Sequence, residues 1–133
     1  MTFGVTSYIS SLDYLFNNNY YIDGYDNGYI YLRNVHNMGY YWDDVILNYS
    51  NMGYLYSTQF VKSYSYADNY MFNNLYNNLY YQYGQPVSYV SNMYGTTSTW
   101  YGRDGRTYLT LSYSSQYVNG YIRYYTMLTY TSC

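Results

Sequence analysis

Apolar side chains in this chain follow two different periods, and the order in which those periods alternate limits the fold more than any other feature. Val5, Ile9, Leu12 and Phe16 are spaced 4, 3 and 4 residues apart. That spacing puts them on one stripe of a helix over about residues 5 to 18, with a Ser or Thr near the start available as a cap. The design recurs over about residues 69 to 83. Asp68 is a natural N-cap, Phe72, Leu75, Leu79 and Tyr83 are spaced 3, 4 and 4, and Gly84 followed by Pro86 stops the helix.

Elsewhere the period is two. Ile30 and Leu32 mark one strand, Val45, Leu47 and Tyr49 share a face of the next, and a long strand runs through Leu55 to Val61, with Asn51-Met52-Gly53 as the turn before it. After the second helix a connection through Val87 and Val90 leads to a short strand around Trp100 and the turn Arg103-Asp104-Gly105. Strands at about 106 to 115 and 120 to 131 follow, joined by Asn119-Gly120, a strong hairpin signal. The expected order is helix, three strands, helix, three strands.

The two halves also match in detail. Leu47-Asn48-Tyr49-Ser50 lies over Leu111-Ser112-Tyr113-Ser114, and Gly53-Tyr54-Leu55 over Gly120-Tyr121-Ile122. The chain of 133 residues therefore reads as one domain of two tandem repeats, about 3–65 and 68–131. Either half alone buries too little apolar area to offset its chain entropy. The expectation is an α+β fold in which two helix-plus-three-strand repeats form one antiparallel sheet, with both helices on one face. Its core would hold Ile9, Leu12, Phe16, Phe72, Leu75 and Leu79 against Val45, Leu47, Leu109 and Leu111.

Composition narrows the function classes. Charged residues make up 9% of the chain, against about 25% in an ordinary soluble domain, while tyrosine occurs 29 times. All seven acids are aspartate, the five bases are Arg33, Lys62, Arg103, Arg106 and Arg123, and the net charge is -2. No basic stripe exists to neutralise a phosphate backbone, which argues against nucleic acid as a partner. No apolar run approaches the roughly 18 residues of a membrane helix, so no membrane span is expected. Met1-Thr2-Phe3 lacks the basic start of a signal peptide, which reads as a soluble or already processed chain. Runs such as Asn17-Asn18-Asn19 occur in disordered chains, but the periodicity argues for a fold. The single cysteine, Cys133, rules out an internal disulfide.

The same residues carry a resemblance. Phe3-Gly4-Val5-Thr6 opens a helix, the chain passes Gly24 to an Asn-x-Gly hairpin, and a helix ends in Tyr83-Gly84-Gln85-Pro86 before Trp100 and Leu109-Thr110-Leu111. This arrangement is similar to small envelope proteins of tandem helix-plus-sheet fold, which resemble β-lactamase inhibitor protein and the outer-membrane assembly lipoproteins. The resemblance implies an extracytoplasmic or secreted, non-enzymatic protein that binds other proteins through its exposed sheet face. The chain departs from that pattern in having no cysteine near its start and in its tyrosine content.

Residues suited to catalysis are few. His36, between Asn34-Val35 and Asn37-Met38, reads as an exposed residue at a strand end. Asp43-Asp44 could be a glycosidase-like acid pair, but adjacent strand residues point to opposite faces, so a solvated strand start fits better. Asp23-Gly24-Tyr25-Asp26-Asn27-Gly28 suggests a calcium loop without its spacing or its bidentate glutamate, and reads as a turn. Asn48-Tyr49-Ser50 fits the glycosylation sequon, yet Tyr49 looks inward. No catalytic residue, metal site or cofactor is expected.

What remains is tyrosine. Its large rigid face, single hydroxyl and two torsions give contact area at low entropic cost, and Tyr, Ser, Gly and Asn dominate antibody paratopes. On the long C-terminal strands the inward set is expected to be Leu109, Leu111, Tyr113, Ile122, Tyr124 and Leu128. The opposite face then carries Tyr108, Tyr121, Arg123 and Tyr125, with Tyr54 and Tyr56. The same tyrosines would also stabilise a sheet through cross-strand pairs worth about 0.2–1 kcal/mol each. Three partners suit such a face: another protein, further copies of the chain in a filament or surface layer, or a carbohydrate whose rings stack on tyrosine.

Overall fold

Residues 6–26, 28–102 and 105–132 are described by a computed structural model, in which the chain forms two helices and one eight-stranded antiparallel sheet. The elements are α1 (Tyr8–Asn17), β1 (Ile22–Asp26), β2 (Tyr29–Asn37), β3 (Tyr40–Tyr49), β4 (Leu55–Tyr64), α2 (Tyr70–Tyr83), β5 (Ser88–Asn92), β6 (Gly95–Tyr101), β7 (Thr107–Val118) and β8 (Tyr121–Ser132). In the sheet they lie in the order β1-β2-β3-β4-β8-β7-β6-β5. Each helix is thus followed by four strands rather than the expected three. The additional strands, β1 and β5, lie at the two edges and carry no buried residue, so neither has the apolar alternation by which a strand is read from sequence. Val5, Arg103, Asp104 and Cys133 lie outside the described residues.

The chain divides into two compact units, one running up to Phe60 and the other over Val61–Thr131. In the first, Ser7 caps α1: its Oγ accepts the Ser10 N–H at 3.2 Å. The residues before the helix pair with the start of β4, with the Tyr8 N–H on the Gly53 carbonyl at 3.0 Å and the Leu55 N–H on the Thr6 carbonyl at 2.9 Å. The Asn17-Asn18-Asn19 run ends the helix. Asn18 donates its side-chain amide to the Tyr14 carbonyl at 2.8 Å, and Asn19 takes a left-handed φ of 61°, which asparagine tolerates better than most residues.

The inward stripe of α1 differs from the expected one. Ser11 and Leu15 are buried, Leu12 is half-buried, and Ile9 and Phe16 are 71% and 59% exposed. The helix is turned by about one residue because its contacts are polar and aromatic as well as aliphatic. Ser11 is small, returns its hydroxyl to the Ser7 carbonyl at 2.9 Å and is fully buried. Tyr8 meets Tyr49 edge to face at 5.4 Å, the geometry that aromatic quadrupoles favour.

In β2, β3 and β4 the buried positions step by two and then once by three: Ile30, Leu32, then Val35; Tyr49, Leu47, Val45, then Trp42; Leu55, Ser57, then Phe60. In β2 the break falls at Asn34, whose φ is 55°. Register is the same on either side of it, Arg33 opposite Asp44 and Val35 opposite Trp42. Trp42 lies 5.4 Å from Phe60 and donates its indole N–H to the Asn37 carbonyl at 3.2 Å. The β2–β3 turn, Met38-Gly39, has φ of 54° and 81°, the doubly left-handed geometry that matches strand twist.

In the second unit α2 buries Met71, Phe72, Leu75 and Leu79, the expected stripe with Met71 added and with Tyr83, at its end, only half-buried. Asn69 occupies the N-cap position, but Asp68 supplies the carboxylate, accepting the Tyr70 N–H at 3.0 Å. Gly84, with φ 85°, ends the helix. The sheet grips both ends of it: the Tyr113 hydroxyl accepts the Asp68 N–H at 3.0 Å, and the Trp100 indole donates to the Gly84 carbonyl at 2.9 Å. Phe72 lies 5.9 Å from Tyr113, and Tyr76 lies 5.6 Å from Trp100. Gly95 allows β6 to approach β7, since a Cβ there would stand 2.3 Å from the Tyr113 carbonyl oxygen. Leu109, Leu111 and Leu128 are buried as expected, and Tyr124 stacks on Tyr113 at 6.4 Å. Ile122, expected inward, is 41% exposed because it sits beside the Asn119-Gly120 turn, where both strands are solvated.

Truncation should separate the two helices' real faces from their apparent ones. Leu75→Ala should cost about 2–5 kcal/mol in chemical denaturation, whereas Ile9→Ala should stay within about 0.5 kcal/mol of the parent. A large loss at Ile9 would contradict the orientation of α1.

Candidate binding surface

The β7–β8 hairpin borders a concavity. Asn119 and Gly120, with φ of 52° and 84°, reverse the chain in two residues, which holds the last residues of β7 against the first of β8. With the Ser65–Ala67 segment they enclose an open groove of about 980 Å³ whose side chains include Tyr66, Tyr117, Tyr121, Ile122, Arg123 and Tyr124. The rings of Tyr66, Tyr117 and Tyr121 are 63%, 79% and 76% exposed. Among the described lining residues Arg123 bears the only charge, and its guanidinium donates to Ser63 Oγ at 3.1 Å. The groove therefore offers flat aromatic faces, hydroxyls and one anchored cation.

Two of the six residues singled out from sequence, Tyr121 and Arg123, line this groove. Tyr108 and Tyr125 are half-buried in β7 and β8. Tyr54 and Tyr56 belong to the first unit, at the start of β4, and are 42% and 43% exposed. Tyr66 and Tyr117 were missed. Tyr117 lies two residues before the Asn-Gly turn, a position that a hairpin's geometry exposes, and this is the signal that could have found it; Tyr66 follows the end of β4 and had no such signal.

The first unit carries a second polar constellation. Asp43 and Asp44 lie within β3, not at a solvated strand start, and the Tyr31 hydroxyl donates to Asp44 Oδ1 at 2.5 Å. Asp23 lies in β1 rather than in a turn and pairs with Arg33 at 2.9 Å; Asn27 of the same stretch lies outside the described residues. His36 is exposed near the end of β2 and packs edge to face on Tyr41 at 4.8 Å. Tyr49, in the sequon, is 5% exposed. Among the described residues no group of three or more His, Cys, Asp or Glu side chains could hold a metal ion, and no helix is long and apolar enough to cross a membrane.

No protein-family model matches the chain, and neither does any curated protein or solved structure compared with it.

Tyr31 gives the site a measurable pH signature. Burial first, then the hydrogen bond and negative charge of Asp44, push its hydroxyl up from 10.0 to about 12, against a smaller lowering by Arg33. A raised folded-state value means that the unfolded chain releases this proton first. The stabilisation is complete below pH 10.0 and is lost as pH rises toward about 12. The melting-temperature gap between the parent and Tyr31→Phe should therefore be widest at neutral pH and close across that alkaline window. A gap independent of pH would show that the Tyr31–Asp44 contact does not govern this titration.

Proposed function

We propose that the chain is a non-catalytic protein-binding module, extracytoplasmic or secreted, that holds its partner with a tyrosine-rich sheet surface. The observation that carries this reading is the groove of Tyr66, Tyr117, Tyr121 and Arg123, where exposed rings surround one anchored guanidinium. Tyrosine and arginine are, with tryptophan, the side chains enriched among interface hot spots, because each contributes a broad rigid face with a directional polar end. The reading extends to the fold: two related helix-plus-sheet repeats with both helices on one face, as in the envelope proteins that the sequence resembles, would leave the other face for a partner. The recurring order of one helix then four strands supports the repeat.

Self-assembly into a filament or surface layer is the second reading, favoured by a charged fraction of only 9%, which leaves little repulsion between copies. Carbohydrate binding through tyrosine stacking is the third.

Replacing Tyr121 and Tyr125 together by serine tests the surface. A contact role predicts that partner binding, or assembly into filaments or layers, is abolished, with central aromatic anchors costing about 2 kcal/mol or more each, while the fold survives. A purely structural role predicts a lower melting temperature and unchanged association by the molecules that stay folded. Calorimetry and light scattering on the double variant decide between them.

A further inference from the structure

The sheet ends in two edge strands of opposite character. β1 carries Asp23 and Asp26, Asp23 is paired with Arg33, and its ladder with β2 is interrupted by a register shift between Ile22 and Gly24. Charges and irregular pairing on an edge strand are what prevents a further strand from adding to it. β5 has neither. It pairs with β6 without a shift from Ser88 opposite Thr99 to Asn92 opposite Gly95, and its sequence SYVSN contains no charge and no proline. All five residues are exposed. Val87, Tyr89 and Val90 are 59%, 58% and 54% exposed, and Met93 and Tyr94 at the adjoining turn 86% and 70%. From Asn69 to Gly102 the chain contains no Asp, Glu, Lys, Arg or His.

We propose that β5 is an association edge through which two copies of this chain pair, β5 antiparallel to β5, into a closed dimer. In an antiparallel ladder alternate residues turn their N–H and C=O groups away from the neighbour, so about half of the β5 peptide groups face outward and accept a strand. The incoming strand must be extended and uncharged, because a charged partner meets no counter-charge anywhere from Asn69 to Gly102. A second β5 meets that requirement, and two-fold pairing makes a single strand complementary to itself without any second surface. Growth stops at two because β1, the other edge, carries its charges and its register shift. The β5 edge is separate from the tyrosine groove, and the dimer leaves the groove free to bind a different protein.

Light scattering across a dilution series tests this directly. The parent should show twice the 16.0 kDa mass of one chain at high concentration and approach the single-chain mass on dilution. Val90→Lys, at an exposed position, should hold the mass at one chain with an unchanged circular dichroism spectrum. Tyr25→Lys on β1 should leave the dimer intact, as should the double serine variant at Tyr121 and Tyr125. Hydrogen exchange of the unmodified chain gives a readout free of folding defects: β5 amides should slow as concentration rises, while β1 amides should not. A parent that is monomeric throughout, a Val90→Lys variant that still dimerises, or open-ended filaments would each overturn the proposal. Loss of the dimer in the double serine variant alone would overturn it too, and would place the contact on the tyrosine surface instead.

Discussion

Burying a tyrosine or tryptophan is costly unless its polar end finds a partner, and in a chain with so few charges that cost shapes much of the packing. Leaving such a group unpaired costs on the order of 1–3 kcal/mol. Trp100, 1% exposed, places its indole N–H on the carbonyl of Gly84, the C-cap residue of α2, and the Tyr113 hydroxyl accepts the N–H of Asp68, just ahead of the helix. The contacts that bury the rings thereby also satisfy backbone groups in the segments that flank the helix. Trp42 does the same for a strand end through the Asn37 carbonyl. In a protein of ordinary composition surface ion pairs would share this task; here the amphipathic aromatic performs packing and polar satisfaction together.

The same economy bears on asparagine, which occurs 15 times in the chain. Asn19, Asn34 and Asn119 all adopt left-handed φ, a region closed to most side chains and accessible to asparagine. Each sits where the chain must change direction or phase: the end of α1, the break in β2, and the hairpin of the long strands. Asn92 works differently, accepting the Tyr94 and Gly95 N–H groups at 2.9 and 3.2 Å to fix the β5–β6 turn. Part of the polar low-complexity character of the sequence is therefore a record of turns and caps.

Both helices, the Asn119-Gly120 hairpin, and the burial of Val45 and Leu47 in the first unit and of Leu75, Leu79, Leu109 and Leu111 in the second were legible in the sequence, because each rests on a period or a local turn preference. The face of α1 was not. Hydrophobicity ranks Ile9 and Phe16 above Ser11, yet a serine that hydrogen-bonds its own helix costs little to bury and permits a closer approach than a larger side chain would. The edge strands were illegible for the opposite reason: β1 and β5 bury nothing, so no alternation announces them. Alternation also failed beyond Asn34, since a single left-handed residue shifts the buried phase. Of the candidate surface, Tyr121 and Arg123 could be placed from the hairpin register, whereas Tyr66 enters the groove through tertiary structure alone.

Charge is distributed along the chain as unevenly as it is scarce. Every ionised side chain lies before Asn69 or after Gly102, so α2, β5 and β6 present water with hydroxyl, amide and apolar groups and no charge. Such groups are solvated well enough to prevent collapse, but they exert no long-range repulsion, and approach of a second uncharged surface is opposed only by desolvation at contact. Where a stretch of this kind is internal to a sheet, neighbouring strands satisfy its backbone. At β5 the outer row of N–H and C=O groups meets water, and water is the one partner that a strand of like composition can replace bond for bond. Specificity must then come from the backbone ladder and from the shape of Tyr89 and Val90, because no pattern of charge is present there to select one partner over another.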